Sequence, residues 1–157
     1  MRISLANSRL CTCGQFDCWE AYGCGRGLVT TAKELLHNVT ADQTELAAHK
    51  EDLTTRMITD AAAQDDIIAQ RALEIWHQHV AVGIVNFAHI LDPDCFVISG
   101  GLSNVVNFEL LKELVVDRCV PKLADLIEIY KSDLGTEAGI IGAAHIVLDN
   151  IGQSLSR

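Results

Sequence analysis

The sequence has few basic residues and few prolines. It holds 12 Lys and Arg against 21 Asp and Glu, which gives a formal net charge of −9. A protein that binds nucleic-acid phosphates needs a basic face, so this balance argues against nucleic acid as a partner of this segment. Only two of the 157 residues are proline and 49% are hydrophobic, which is the composition of a folded chain rather than a disordered one.

Membrane and export signals are also missing. No stretch approaches the roughly 18 uncharged apolar residues that a membrane span needs. No apolar h-region or cleavage site follows Met1-Arg2-Ile3-Ser4-Leu5, so we expect no signal peptide and a cytoplasmic location. The mean hydropathy is nevertheless +0.21, which predicts either a large core or apolar surface that another chain or domain covers.

Cysteine, in contrast, is plentiful, with six residues. Because the cytoplasm is reducing, the six cysteines need an explanation other than disulfide bonds. Cys95 lies in a short apolar run, and we expect it in the core; Cys119 is expected to pack in the core or at a helix end. Three more lie in Cys11-Thr12-Cys13-Gly14-Gln15-Phe16-Asp17-Cys18, where soft thiolates can converge on one tetrahedral Zn²⁺ with a fourth ligand from elsewhere. The alternative is three free thiols in a loop.

Apolar periodicity predicts an α/β chain. Helices are expected from Trp19 to about Asn38, over Met57–Ala63, over Ile67–Leu91 behind an Asp65 or Asp66 cap, over Phe108–Val116 and over Glu137–Ile151. Continuous apolar runs predict one strand at Cys95–Ile98, buried on both faces, and a second within Ala124–Tyr130. Alternating helices and strands imply a parallel sheet with crossover helices. Two strands are too few for a stable sheet, so the chain looks like half of a larger fold.

Three segments resemble one family. Cys11-Thr12-Cys13-Gly14-Gln15-Phe16-Asp17-Cys18-Trp19-Glu20 is similar to the zinc-binding segment C-x-C-G-x-x-G-C-x-E of the ROK family of sugar kinases and sugar-responsive repressors. Asp92-Pro93 with Val97-Ile98-Ser99-Gly100-Gly101 resembles the later D-P-x-x-I-x-x-G-G of that family. Ala138-Gly139-Ile140-Ile141-Gly142-Ala143-Ala144 resembles its closing helix. The three occur in family order and span nearly the whole chain, but correspond to only the C-terminal half of a member.

The resemblance implies the C-terminal lobe of an actin-like ATPase (ribonuclease H-like) sugar kinase. Residues 1–24 would form the zinc-binding loop and the start of a helix, and residues 25–157 the helical and α/β body. The function implied is ATP-dependent phosphorylation of a hexose such as glucose, with Mg²⁺ on the nucleotide and a homodimer as the assembly. The same resemblance allows a sugar-responsive repressor, and a non-catalytic remnant with zinc-binding and dimerisation roles is a third hypothesis.

The resemblance also assigns site residues. Cys11, Cys13 and Cys18 would hold a structural Zn²⁺, and Glu20 would accept hydrogen bonds from sugar hydroxyls. Without the family, Glu20 is simply an exposed carboxylate early in a helix, where the helix dipole favours it. Gly100 and Gly101 would lie on the adenosine side of an ATP site, because ligands bind outside the carboxyl ends of parallel strands. The alternative there is a plain strand-to-helix turn.

The departures from the family pattern are equally informative. A zinc-binding histidine stands ten residues before the first cysteine in the family, where this chain has Met1, so either the fourth protein ligand is missing or a longer protein continues upstream. His37 or His49 could supply that ligand, although no spacing selects either. Asp17 stands in place of a family glycine. No D-x-G-x-[ST] segment or general base is present, so we expect the chain alone not to catalyse phosphoryl transfer.

Overall fold

The computed structural model describes the backbone of residues 1–155 and the side chains of residues 1–148. In chain order the helices and strands are α1 (Glu20–Gly23), α2 (Gly25–Leu35), α3 (Thr55–Ala62), α4 (Ile67–Leu91), β1 (Phe96–Ile98), α5 (Phe108–Arg118), α6 (Pro121–Ala124), β2 (Ile129–Lys131) and α7 (Ala138–Leu155). Short 3₁₀ segments lie at Leu36–Asn38, Glu45–His49 and Gly135–Glu137. Helices α1, α2, α3 and α5 pack around α4. None of the described helices is long and apolar enough to cross a membrane.

Helix α4 has the bounds that the sequence predicts. The Asp66 carboxylate accepts the N–H of Ala69 at 2.8 Å and caps its start. The helix ends at Leu91, and its C-cap residue Asp92 takes a left-handed conformation at φ 45° directly before Pro93. Between these signals most of the apolar side chains are buried or half-buried, with Trp76 2% exposed. The predicted long buried helix is therefore confirmed.

The helix expected from Trp19 to Asn38 is broken at Cys24. The backbone of Cys24 is extended at ψ 176°, so α1 ends there and α2 begins anew. An ideal Cβ placed on Gly27 would lie 2.1 Å from the carbonyl oxygen of Tyr22, so only glycine permits the close approach of the two helices. The indole N–H of Trp76 reaches the Gly23 and Cys24 carbonyl oxygens at 3.1 and 3.3 Å, which satisfies acceptors at the break.

The two strands form a parallel pair in which Phe96 lies opposite Ile129 and Val97 opposite Tyr130. Phe96 and Ile98 pack against the main core, whereas Val97 is 61% exposed and Tyr130 51% exposed. The prediction that β1 is buried on both faces is therefore wrong, because the described side chains cover only one face of this sheet. Strand β2 is also shorter than predicted.

The two isolated cysteines behave differently. Cys95 is exposed, so its assignment to the core is wrong: it precedes β1, and its side chain does not share the packed face of the strand. Cys119 follows α5 directly and packs half-buried against the core, as predicted, and this burial raises the pKa of its thiol.

His77 joins α4 to the start of α5. Its Nδ1–H donates to the Leu73 carbonyl at 2.7 Å, and its Nε2 accepts the N–H of Asn107 at 2.9 Å. Burial lowers the pKa of His77, which favours the neutral ring that this pair of bonds requires. Both ring nitrogens of His77 are therefore occupied by contacts within the fold.

Trp19 fastens the N-terminal segment to α4. Its indole N–H donates to the carbonyl oxygen of His79 at 2.8 Å, and its ring meets Phe87 edge-on at a centroid distance of 5.6 Å. An ideal Cβ on Gly83 would lie 2.0 Å from Trp19 Cε2, so the indole occupies the space that a side chain at this position would need.

We predict that Gly83→Ala lowers the free energy of unfolding by about 1–3 kcal/mol, because the added methyl group must displace the indole. The control is Gly142→Ala in α7, where a Cβ would meet nothing within 4 Å. There the better helix propensity of alanine is expected to raise stability by up to about 1 kcal/mol. Urea unfolding of both variants measures the difference, and equal stabilisation of the two would contradict the contact.

Substitutions at Gly100 and Gly101 provide a second variant with a matched control. Gly100 has φ +90° and lies in open space, whereas Gly101 is equally open but does not have a positive φ. We predict that Gly100→Ala costs about 1–2 kcal/mol through backbone strain alone. Gly101→Ala should stay within about 0.5 kcal/mol of the unmodified chain. Thermal unfolding distinguishes the two, and equal losses would argue against strain as the cause.

Candidate functional site

The cysteine loop is a short hairpin. Leu10 and Phe16 form an antiparallel bridge. Within it, the N–H of Cys11 donates to the Gln15 carbonyl at 2.8 Å, and the N–H of Gly14 donates back to the Cys11 carbonyl at 3.0 Å. Gly14 has φ +83°, which a glycine adopts without strain, so the chain reverses within a few residues. The reversal carries the cysteines at both ends of the loop to one side.

The three predicted metal-binding thiols converge. The Sγ atoms of Cys11, Cys13 and Cys18 all lie within 4.8 Å of one another, and those of Cys13 and Cys18 are 3.5 Å apart. With Zn–S bonds of about 2.3 Å, tetrahedral geometry places two sulfur ligands about 3.8 Å apart. A disulfide would require about 2.05 Å. The sulfur spacing therefore fits thiolate ligands of one zinc ion, with small adjustments.

The hydrogen bonds among the thiols favour ionisation at one of them. The pKa of Cys13 is lowered because the backbone of Gln15 and the thiol of Cys18 stabilise its thiolate. The pKa of Cys18 rises to about 11, because its thiol is hydrogen-bonded to Cys13 and is partly buried. A thiolate is the form that binds a metal, so the loop presents one thiol that ionises more readily than an ordinary cysteine.

Neither His37 nor His49, the two candidates for a fourth zinc ligand, reaches the three cysteines. His37 Nδ1 lies 3.2 Å from the Asn38 side-chain oxygen, and His49 Nδ1 lies 3.8 Å from an Asp52 oxygen. Among the side chains of residues 1–148, the group of close ligand atoms consists of the three cysteines alone. The described chain thus supplies three ligands to the candidate metal site.

Glu20 lies at the edge of this cluster. Its Oε1 accepts a hydrogen bond from Thr12 Oγ1 at 3.0 Å, and its Oε2 lies 3.8 Å from the Sγ of Cys11. Arg26 Nη2 approaches Oε1 to 3.8 Å. The carboxylate remains 57% exposed, so it is oriented by the loop yet open to a ligand from solvent. Sequence reasoning placed Glu20 beside the cysteine loop, and the structure brings the two together.

A buried polar network beneath the loop was missed by sequence reasoning. Asp17 is fully buried, and its Oδ1 accepts the Tyr22 hydroxyl at 2.7 Å. This bond and the N–H of Arg9 lower the pKa of Asp17 to about 2, while burial and the nearby carboxylate raise the pKa of Tyr22 to about 12. The Arg9 guanidinium forms a two-point ion pair with Glu34 at 3.1 and 2.6 Å. No periodicity pairs residues 25 positions apart, which is why the sequence did not reveal this contact.

The glycines of the second predicted site are at the carboxyl end of β1. The N–H of Gly100 donates to the carbonyl of Gly135, which follows β2, at 3.1 Å. A Cβ on Gly100, Gly101, Gly135 or Gly139 would meet nothing within 4 Å. Exposed backbone therefore lines this edge of the sheet, and a planar or phosphorylated ligand could approach it closely.

Between α4 and β1 lies an open apolar cleft of about 420 Å³. Its lining includes Trp19, Trp76, Phe87, Ile98 and Leu102. Few polar atoms face it, so its surface suits apolar packing rather than a sugar or a phosphate.

Comparison with known proteins shows which family the chain is similar to. A family model described as "ROK family" matches residues 2–150. Glucokinase from Thermotoga maritima is 30% identical over 149 residues, which are 93% of this chain and 47% of that protein. The xylose repressor of Bacillus spizizenii is 23% identical over 146 residues, or 92% of this chain and 34% of that protein.

Among solved structures, a ROK family glucokinase from Streptomyces griseus in complex with glucose and AMPPNP superposes with a TM-score of 0.71 at 26% identity. The match covers 93% of this chain and 49% of that one. The chain thus spans about half the length of the glucokinases it matches. Its fold class is the expected one: α/β, with a short parallel sheet and packed helices, as in the actin-like ATPase fold of these sugar kinases. On the family match and the superposition together, the chain belongs to the ROK family.

Proposed function

We propose that this chain is the C-terminal lobe of a glucokinase-like hexose kinase. In this proposal it supplies part of the sugar site and part of the ATP site, and a second lobe supplies the catalytic base and the first phosphate-binding segment. The observation that carries the proposal is Glu20, whose carboxylate is held against the cysteine cluster by Thr12 and remains open to solvent. The chain lies in the cytoplasm in this proposal, because the ATP that the reaction consumes is there.

The cysteine cluster holds a structural zinc ion in this proposal. Bound zinc would fix the loop immediately before α1, and Glu20 is the first residue of α1. A carboxylate with two free lone-pair directions can accept hydrogen bonds from neighbouring hydroxyls of a hexose. Support for glucose as the sugar comes from the Thermotoga maritima and Streptomyces griseus glucokinases, the second of which is in complex with glucose.

In this proposal, ATP contacts the backbone at Gly100 and Gly101. Support comes from the absence of side chains along this edge and from the AMPPNP in the Streptomyces griseus complex. ATP is proposed to bind as its Mg²⁺ complex, because kinases use the metal to neutralise charge that develops on the transferred phosphoryl group.

Apolar surface supports the idea of a single lobe. Exposed apolar side chains lie on the open face of the sheet and along α7: Val97, Tyr130, Ile140, Val147 and Leu148. Val97 and Tyr130 lie opposite each other on the paired strands, so this face of the sheet presents apolar surface of the kind that another lobe or chain covers. The homodimer that the family resemblance implies stays a proposal. Helix α4 adds large exposed apolar residues only near its ends, at Ile67, Ile90 and Leu91, because most of its remaining apolar positions are buried within the chain.

A sugar-responsive repressor is the second candidate. It is favoured by the match to the xylose repressor, which covers nearly as much of this chain as the glucokinase match does, at lower identity. A repressor would carry its DNA-binding helices in another part of the protein. This chain would then bind sugar through Glu20 without supporting phosphoryl transfer in any assembly.

Metal analysis tests the zinc site. We predict about one zinc ion per purified chain, and a clear loss of zinc in Cys13→Ser, because three thiolates are the ligands that the loop presents. Cys95→Ser is the control, since Cys95 is an equally exposed thiol outside the cluster. A well-folded chain that carries no metal and takes up none from added Zn²⁺ would refute the site.

Activity and sugar binding are measured separately. We predict no ATP-dependent phosphorylation of glucose by the chain alone in a coupled assay, because the base is expected in the other lobe.

Glucose titration followed by NMR should show binding that Glu20→Gln weakens by about tenfold, as expected for a lost charge-assisted hydrogen bond. Glu109→Gln in the first turn of α5 is the matched control. Turnover by the chain alone, or unaltered binding in Glu20→Gln, would count against these assignments.

A further inference from the structure

Asp17 has a left-handed backbone, with φ 57°. Glycine adopts this region without cost, and Asp tolerates it better than most other residues do. The family pattern has glycine at this position. Glycine would serve this backbone conformation equally well, so what distinguishes Asp17 is the set of contacts that its side chain makes.

The contribution is visible in the hydrogen bonds of one oxygen atom. Asp17 Oδ1 accepts the backbone N–H of Ser8 at 3.1 Å, the backbone N–H of Arg9 at 3.0 Å and the hydroxyl of Tyr22 at 2.7 Å. The first two donors precede the cysteine loop, and the third lies in α1 after it. A single carboxylate thus ties the incoming segment of the loop to the helix that carries Glu20.

A second set of contacts holds that tie in place. The Arg9 guanidinium lies over the Tyr22 ring at 4.4 Å, and it also reaches Thr31 and Glu34 on α2. Tyr22 in turn packs in a small core with Ala21 and Cys11, of which Cys11 is only 4% exposed. The buried thiol of Cys11 therefore packs against Tyr22, the residue whose hydroxyl donates a hydrogen bond to Asp17.

We propose that Asp17 is a positioning residue that pre-organises the three thiols for metal binding and holds Glu20 beside them. The proposal rests on the metal site proposed above. Its carboxylate is fully buried and its second oxygen has no hydrogen-bond partner among the described residues, so the side-chain hydrogen bonds that tie the two flanks of the loop together all converge on Oδ1. Residues that orient metal ligands from outside the coordination shell typically change metal affinity by about 10–100-fold when removed.

The test is a Co²⁺ titration of the full chain, followed by the thiolate-to-cobalt absorption and then by zinc competition, well below the unfolding temperature. Asp17→Gly removes the carboxylate but suits φ 57°, so it separates the side chain from the backbone strain. We expect it to bind Co²⁺ about 10–100-fold more weakly. Asp17→Asn keeps an oxygen acceptor at lower strength, and we expect a smaller loss of about 3–10-fold.

The matched control is Asp65→Gly. Asp65 also has a left-handed backbone, at φ 63°, but is exposed and lies between α3 and α4, away from the cluster. We expect its metal affinity to equal that of the unmodified chain. A purely structural role for Asp17 would lower the unfolding temperature of Asp17→Gly without changing the affinity of the folded chain.

The possible failures are distinguishable. Unchanged affinity in folded Asp17→Gly overturns the role of Asp17 and leaves the metal site standing. If Asp17→Gly does not fold, Asp17→Asn decides, and wild-type affinity in that variant overturns the proposal. An unmodified chain that binds neither Co²⁺ nor Zn²⁺ overturns the metal site and, with it, the positioning role.

Discussion

The indole of Trp19 lies against Gly83 of α4, and its N–H is bonded to a carbonyl of the same helix. Trp19 stands between Cys18, a candidate metal ligand, and Glu20, the candidate sugar ligand. Docking this one side chain on a rigid helix therefore limits where both neighbours can lie. The contact also explains a glycine in the middle of a long helix, where helix propensity alone would favour alanine.

The polar network under the loop complements this apolar contact. Trp19 fixes the loop to α4, while Arg9, Asp17 and Tyr22 fix it to α1 and α2. Buried polar groups are costly unless they are hydrogen-bonded, so a network of this kind favours one arrangement of the loop over many similar ones. A loop held from two sides is suited to presenting ligands, because little ordering remains to be done when a metal ion or a sugar binds.

The two candidate sites are assembled in different ways. The three cysteines lie within eight residues, so a single hairpin brings them together and their spacing could be read directly. The candidate glycine site is formed where Gly100 meets Gly135, which lies in the 3₁₀ segment after β2. Its recognition from sequence depended on the family motif, since a pair of glycines after a strand also describes an ordinary turn.

Local signals account for most of what the sequence determined. The Asp66 cap and the Asp92-Pro93 stop bounded α4, and the cysteine spacing located the candidate metal site. The candidate sugar contact of Glu20 came from the family resemblance. Tertiary structure alone decided the break at Cys24, the pairing of Arg9 with Glu34 and the exposure of Val97 and Cys95. The physical reason is the range of the forces involved. Caps, turns and periodicity act within a few residues, whereas close approach of helices and coverage of a sheet face depend on segments that are far apart in the chain.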